Sequence, residues 1–169
     1  MPVQRLNHAV LYVRDVERSV AFYQEALGFK VVMGFRGAAF LQAAGSANDH
    51  DLGLFEVGAQ AGPTGAGRTT VGLYHLAWEV DTLDELERIS LKLGEMNALV
   101  GASDHSTTKA LYAKDPDGLE FEVSWLVPAD LLTDDVLDGR TGVKPLDLAR
   151  EKERYGARTR GGLGVSTPA

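Results

Sequence analysis

The 169-residue chain contains no cysteine. A disulfide, a thiolate metal ligand and a cysteine nucleophile are therefore excluded, so histidine, carboxylate or carbonyl groups would have to hold any metal ion. The chain also lacks an apolar run long enough to cross a bilayer. Its first residues show neither the basic nor the apolar region of a signal peptide. Together these absences predict a cytoplasmic protein.

Positive charge is also scarce in this sequence. The chain has 17 lysine and arginine residues against 24 aspartate and glutamate residues, which gives a net charge of −7 and a pI near 5.0. It has no basic run either. This balance argues against a nucleic-acid-binding surface and against attraction to anionic membranes. The expected partner is a small molecule.

What the sequence does contain is an internal repeat in which each copy opens on a histidine. NHAVLYVRDVERSVAFYQEALGF at residues 7–29 is similar to YHLAWEVDTLDELERISLKLGE at residues 74–95. His8 and His75 are 67 positions apart. A spacing of 66 separates the two Phe-Glu-Val triplets, which occupy residues 55–57 and 121–123. Self-similarity at a fixed period predicts a repeated structural unit.

The first copy predicts a strand, a helix and three further strands. Alternation over residues 6–13 is typical of a half-buried strand. A helix is expected between Asp15, a good N-cap, and Gly28, a good C-cap. The three later strands are expected at residues 29–35, about 38–43 and 51–57.

The second copy predicts the same order of elements. A strand runs through His75, and Thr82 with Glu85 forms a capping box for a helix that Gly94 ends. The sequence Asp-Pro-Asp-Gly at residues 115–118 suits a type I turn. Strands are expected near residues 97–102, 108–114 and 119–125.

These elements predict an α+β fold of two tandem βαβββ modules, at about residues 5–58 and 71–127, within one domain over residues 1–127. Side by side, the modules would form a curved, mixed-sheet cup. Residues 128–169 form a C-terminal extension that is expected to be partly helical. Its end, RTRGGLGVSTPA from residue 158, is expected to be disordered.

Strand parity brings ionisable residues to the concave face of this cup, because alternate side chains point to opposite faces. His8, His75 and Glu122 alternate with apolar residues and are expected there. Two imidazoles and one carboxylate are the ligands of non-haem Fe(II) oxygenases, and they also suit Zn, Ni, Co or Mn. In the fourth strand, parity predicts Phe55 on the helix side and Glu56 on the concave side, as a possible fourth ligand.

With these residues the chain resembles the vicinal oxygen chelate superfamily, also called the glyoxalase/bleomycin resistance/dioxygenase family. The likeness covers about residues 5–127. It rests on the opening stretch, on YHLAWEV and on DPDGLEFEV. The resemblance implies paired βαβββ modules, a divalent metal held by His8, His75 and Glu122, and a homodimer.

Within that superfamily the chain looks most like the extradiol ring-cleaving dioxygenases. His50 matches their catalytic histidine and Tyr112 matches a tyrosine beside the substrate, while His105 lies two residues from a further pocket histidine. The resemblance implies Fe(II), with Mn, Ni and Zn as alternatives, and an aromatic vicinal diol cleaved with O2. The residues alone also permit plainer roles: His50 in an exposed loop, Tyr112 as an interior aromatic and His105 in a turn.

Two other functions compete with this interpretation. With Glu56 as a ligand, the site would resemble that of glyoxalase I or an epimerase, a lyase or isomerase whose metal polarises a carbonyl or enediolate. Arg36 and Lys109, the nearest cations for a glutathione substrate, are expected to be solvated surface charges. The third possibility is a metal-free, drug-binding resistance protein, but parity predicts that Trp78 and Trp125 lie in the core rather than in a cleft.

Overall fold

The structure is a computed structural model, and it describes residues 2–3 and 5–162. The chain divides into two compact units. The first unit comprises Met1–Gly65 and Asp115–Gly118, and the second comprises Ala66–Lys114 and Leu119–Ala169. Each unit contains the helix and strands of one predicted module, but residues 115–118, predicted within the second module, belong to the first unit.

The first unit is built on a four-stranded mixed sheet. Its elements are β1 (Ala9–Val13), α1 (Val16–Leu27), β2 (Lys30–Phe35), β3 (Ala38–Gln42) and β4 (Leu52–Glu56). The strand order is β1-β4-β3-β2, with β1 parallel to β4 and the other neighbours antiparallel. This arrangement confirms the βαβββ prediction for the first repeat.

Helix α1 begins and ends where its capping residues predict. The Asp15 side chain accepts a hydrogen bond from the Arg18 N–H at 2.9 Å, which satisfies one of the unpaired donors of the first turn. Gly28 has the left-handed backbone (φ 71°) that glycine adopts without steric cost, and its N–H bonds to the Gln24 carbonyl. The buried stripe of the helix, which includes Phe22, packs over the apolar face of the sheet, where Leu54 is fully buried.

The second unit is built on a five-stranded mixed sheet of order β5-β8-β7-β6-β9. Its module comprises β5 (Leu76–Glu79), α2 (Leu83–Glu95), β6 (Leu99–Asp104), β7 (Thr108–Lys114) and β8 (Glu120–Leu126). The extension adds α3 (Asp134–Asp138), β9 (Lys144–Pro145) and α4 (Leu148–Tyr155). The second repeat is therefore also a βαβββ module, and the α+β fold is confirmed.

Helix α2 begins at its predicted cap but continues past its predicted end. The Thr82 hydroxyl accepts from the Glu85 N–H at 3.2 Å. Gly94 lies inside the last turn, and the left-handed backbone falls on Asn97 (φ 54°), a residue type that tolerates this conformation. The buried residues Leu86, Ile89 and Leu93 carry the apolar stripe of the helix.

The C-terminal extension belongs to the second unit. Tyr155 of α4 packs on the fully buried Trp125, with 5.5 Å between the ring centroids. The predicted disorder from residue 158 is corrected for residues 158–162. The Gly161 N–H bonds to the Asp81 carbonyl at 2.7 Å, and the Trp125 indole N–H bonds to the Thr159 carbonyl at 3.2 Å. The remainder of that prediction concerns residues 163–169, which lie outside the described residues.

In the part of the chain that the structure describes, no helix has both the length and the apolar character needed to span a membrane.

Candidate active site

His75 and Glu122 lie together in the second unit. Strands β5 and β8 are parallel neighbours in which Ala77 pairs with Glu122, so Glu122 is close to the start of β5. Phe121 and Val123 are buried on the helix side, which directs Glu122 to the opposite face. The Nε2 atom of His75 lies 3.3 Å from Oε2 of Glu122, and the two side chains are 24% and 14% exposed.

This pair fits a divalent metal ion. Two atoms that each lie about 2.1 Å from one ion are separated by about 3.0–3.4 Å at octahedral or tetrahedral angles, and the observed separation is 3.3 Å. Imidazole nitrogen and carboxylate oxygen are also the right donor types for such an ion. Among the residues that the structure describes, the buried Nδ1 atom of His75 has no hydrogen-bond partner, so the polar contact of the ring is made at Nε2, toward Glu122.

Tyr112 and His105 extend this cluster. Tyr112 lies directly opposite Glu122 in the antiparallel pair of β7 and β8, and its hydroxyl lies 2.8 Å from His105 Nε2. Burial raises the pKa of Tyr112, and the charge of Glu122 raises it further. The phenol therefore stays protonated at neutral pH and can donate a hydrogen bond.

The other two predicted histidines lie together in the first unit. The ring centroids of His8 and His50 are 4.4 Å apart, and the ring of Phe40 lies edge-on to His50 at 5.1 Å. Asp49 Oδ2 lies 3.0 Å from His50 Nδ1, while the side chain of His50 is only 15% exposed. His50 therefore belongs to an aromatic cluster, although it follows a polar loop.

A polar network orders the loop that carries His50, and the sequence interpretation missed it. The buried Asp51 carboxylate accepts hydrogen bonds from the Ala43 N–H (2.8 Å), the Ser46 hydroxyl (2.7 Å) and the Asn48 amide (2.7 Å). Asn48 also donates to the Asn7 carbonyl, beside His8. The signal for this network was the segment SANDHD, whose short polar side chains readily bond to nearby backbone.

Glu56 does not lie on the face predicted for it. The register of β1 and β4 pairs Val13 with Glu56, and Val13 is buried on the helix side. Glu56 Oε2 accepts a hydrogen bond from the Val16 N–H at 3.2 Å, at the start of α1. This corrects the prediction that Glu56 lies on the concave face. The parity was misread because Phe55 was taken as core, whereas its ring contacts Phe40 instead.

The strand registers give a different partner for Glu122 in the first unit. In the second unit, Glu122 pairs with Ala77 of β5 and with Tyr112 of β7. In the first unit, Gly53 pairs with Val10 of β1, which precedes Ala77 by 67 residues, and with Phe40 of β3. Gly53 therefore stands where the second unit has its carboxylate.

The structure also corrects the prediction that Lys109 is a surface charge. Its side chain is fully buried, with Nζ 2.5 Å from Asp104 Oδ1 and 2.9 Å from Glu151 Oε2. The sequence interpretation treated it as a surface charge because the carboxylate from the extension could not be foreseen. Arg36 is exposed, as predicted.

The predicted residues thus form two sets, one in each unit: His8 with His50 in the first, and His75, Glu122, Tyr112 and His105 in the second. Among residues 2–3 and 5–162, no three histidine, aspartate or glutamate side chains are grouped so that they could hold one metal ion.

Comparisons with known proteins agree with the fold. The sequence model of the Glyoxalase/Bleomycin resistance protein/Dioxygenase superfamily matches residues 5–123. The chain is 33% identical over 118 residues to catechol-2,3-dioxygenase of Bacillus subtilis, a match that covers 70% of the chain but only 40% of that enzyme. It is 30% identical over 122 residues to lactoylglutathione lyase of Neisseria meningitidis, covering 70% of the chain and 88% of the lyase.

Solved structures show the same fold. A glyoxylase/bleomycin resistance protein/dioxygenase domain from Frankia sp. superposes with a TM-score of 0.59 at 21% identity, covering 76% of the chain and 96% of that domain. The fosfomycin resistance protein FosX from Listeria monocytogenes, complexed with Mn(II), superposes with a TM-score of 0.54 at 17% identity. That match covers 72% of the chain and 90% of FosX.

Proposed function

The chain belongs to the glyoxalase/bleomycin resistance protein/dioxygenase superfamily, and we propose that it is a metal-dependent dioxygenase that cleaves an aromatic vicinal diol with O2. One observation carries the proposal: His75 Nε2 and Glu122 Oε2 lie 3.3 Å apart beside Tyr112, whereas Glu56 accepts a hydrogen bond at the start of helix α1. A ligand set without Glu56 leaves more coordination positions for a chelating substrate and for oxygen.

We propose that His8, His75 and Glu122 are the metal ligands, with Fe(II) as the ion and Mn, Ni and Zn as alternatives. His8 is included because it occupies in the first repeat the position of His75 in the second. A ferrous ion held by these residues would bring the diol and dioxygen together and would activate them as a Lewis acid.

The surrounding side chains have separate roles in this proposal. Tyr112 donates a hydrogen bond from its hydroxyl to a substrate oxygen, and His105 orients that hydroxyl through the 2.8 Å contact. His50 exchanges a proton with the reacting groups at Nε2, because Asp49 occupies Nδ1. Holding the proton on a ring that is mostly shielded from water favours its return to the reaction rather than to solvent.

The second candidate is a metal-dependent lyase of the lactoylglutathione type. It is supported by the 30% identical relative, because the match spans 88% of that lyase whereas the match to the catechol dioxygenase spans 40%. The placement of Glu56 on the helix face speaks against a second carboxylate ligand of the kind that this function would use. A metal-free binding protein would have no use for the His75–Glu122 pair.

The experiment that separates these functions measures metal content and oxygen consumption together. The protein is purified without oxygen, its metals are quantified, and catechols are then offered with Fe(II) and O2. We expect stoichiometric oxygen uptake and a yellow ring-opened product. Bound nickel or zinc without oxygen uptake, together with turnover of a glutathione adduct, would favour the lyase.

We also propose a homodimer, as the resemblance to this superfamily implies. Light scattering coupled to gel filtration should then give about twice the chain mass of 18.2 kDa. A mass near that of one chain at micromolar concentration would contradict the proposal.

A further inference from the structure

We propose that the C-terminal extension, described from residue 128 to residue 162, positions the candidate active site by holding the β6–β7 hairpin (residues 104–108) so that His105 stays hydrogen-bonded to Tyr112. The inference rests on the proposed function, because it gives this contact a role in catalysis. The match to the superfamily ends at residue 123, so the extension lies outside the part of the chain that the family describes.

The first link between the extension and the hairpin is a buried ion cluster. Lys109, which follows the hairpin, is fully buried, and its Nζ contacts Asp104 within the hairpin and Glu151 on α4. Its ammonium also donates to the Ser106 carbonyl at 3.1 Å. Removing one partner of a buried ion pair is strongly destabilising because it leaves an unpaired buried charge. The ion pairs of Lys109 therefore oppose the separation of α4 from the hairpin.

The second link consists of backbone and steric contacts around the hairpin tip. Strand β9 pairs with β6 so that Lys144 lies opposite Asp104. The extension also approaches the tip so closely at Gly139 that a methyl group added there would lie 2.6 Å from the Ser106 hydroxyl. Ser106 itself has a left-handed backbone (φ 67°), which is held by the Asp104 carboxylate accepting from the Ser106 N–H at 2.7 Å. The tip is therefore fixed from several directions.

These contacts fix the position of His105, because His105 is part of the hairpin. Its N–H bonds to the Thr108 carbonyl at 2.9 Å, while its Nε2 meets the Tyr112 hydroxyl at 2.8 Å. A hydrogen bond weakens steeply when its geometry is lost, and a shift of about 1 Å in a reacting group can cost on the order of a hundredfold in rate. Lys109 and Glu151 are thus positioning residues that act through His105.

The direct test compares Glu151→Gln with Glu153→Gln, an exposed glutamate on the same helix. The imidazole nitrogen signals of His105 are followed by NMR in the metal-free protein. We expect them to change in Glu151→Gln and to remain as in the wild type in Glu153→Gln. Unchanged His105 signals in folded Glu151→Gln would overturn the proposal, whether or not the protein proves to be a dioxygenase.

Kinetics then test whether the extension acts through His105. We expect Glu151→Gln to lower kcat about tenfold, with little change in KM, and to have no further effect in a His105→Ala background. If Glu151→Gln and His105→Ala lowered kcat independently, their effects would multiply in the double variant. That result would mean that the extension acts by another route and would contradict the proposal.

If Glu151→Gln does not fold, the double variant Lys109→Met with Glu151→Met takes its place. Replacing both members of a buried ion pair with apolar residues is often tolerated. The same change in the His105 signals is expected for this variant, and its absence would count against the proposal in the same way.

Discussion

The two modules carry different side chains at one equivalent position of their parallel strand pairs. The second has Glu122 beside Ala77, and the first has Gly53 beside Val10. The residue paired with this position on the adjacent antiparallel strand also differs. It is the polar Tyr112 in the second module and the apolar Phe40 in the first. The duplication therefore leaves the carboxylate at this position in one module alone, which is consistent with one asymmetric metal site rather than two equal ones.

The first prediction concerns the two glutamates of the sequence repeat. If Glu122 is the proposed ligand, we expect Glu122→Gln to weaken Fe(II) binding by more than tenfold. Glu56→Gln should retain the metal and lose about 1 kcal/mol of stability, because a neutral amide is a weaker acceptor for the Val16 N–H. Metal titration and chemical denaturation of both variants measure these effects. Equal loss of metal in the two variants would show that Glu56 is a ligand after all.

The second prediction concerns the Asp51 network. Asp51→Asn should destabilise the first unit by about 1–3 kcal/mol, because an amide cannot accept all three of the bonds that the carboxylate receives. It should also weaken the contact between the rings of His8 and His50, which nuclear Overhauser effects between them would report. Asp130→Asn is the matched control, since Asp130 is exposed and lies far along the chain from this network. Identical behaviour of the two variants would refute a special role for Asp51.

At the scale of elements, the turn at Asp115–Gly118 shows how one carboxylate joins several segments of the first unit. Asp117 accepts from the Arg14 N–H at 2.8 Å and from the Arg14 guanidinium at 2.9 Å. Arg18 adds a 2.6 Å contact from the first turn of α1. Burial by itself would raise the pKa of Asp117, but the hydrogen bonds from Arg14 and the charge of Arg18 outweigh it and lower that pKa.

The third prediction follows from that lowered pKa. A carboxylate whose pKa is lower in the folded state stabilises the protein above its unfolded pKa of about 3.9, and this contribution is lost as the pH falls through the folded value. Asp117→Asn should therefore reduce the free energy of unfolding by about 1–3 kcal/mol at pH 7. The difference from the wild type should shrink below about pH 4. Denaturant titrations between pH 2 and 7 provide the measurement, and a pH-independent difference would contradict the assignment.

Helix ends marked by capping residues could be predicted from the sequence, whereas the pairing registers of the strands could not. Asp15, Gly28 and Thr82 located three helix ends because capping depends on neighbouring residues alone. The register of β4 depends on distant partners, so the matching Phe-Glu-Val triplets wrongly suggested that Glu56 was the counterpart of Glu122. A slip of this kind moves a side chain to the other face of a sheet.

At the scale of the whole molecule, the family resemblance could not predict the structure of the C-terminal extension. The sequence predicted helices in it but not what they cover, because their contacts join residues far apart in the chain. Trp125 and Val127, just beyond the end of the family match at residue 123, are fully buried. Glu151 of α4 is likewise the partner that allows Lys109 to be buried. The extension is thus part of the hydrophobic core of the second unit.

The last prediction tests that conclusion by removing the contacts of α4. Tyr155→Ala should lower the free energy of unfolding by on the order of 3 kcal/mol, because it leaves a cavity against Trp125 and below Lys109. A chain ending after Val127 should lose more, since it would expose the Trp125 ring and leave Lys109 without Glu151. Denaturant unfolding followed by tryptophan fluorescence measures both changes, with the exposed Glu153→Ala as the control. If the shortened chain unfolded at the same denaturant concentration as the full chain, the extension would have no part in the core.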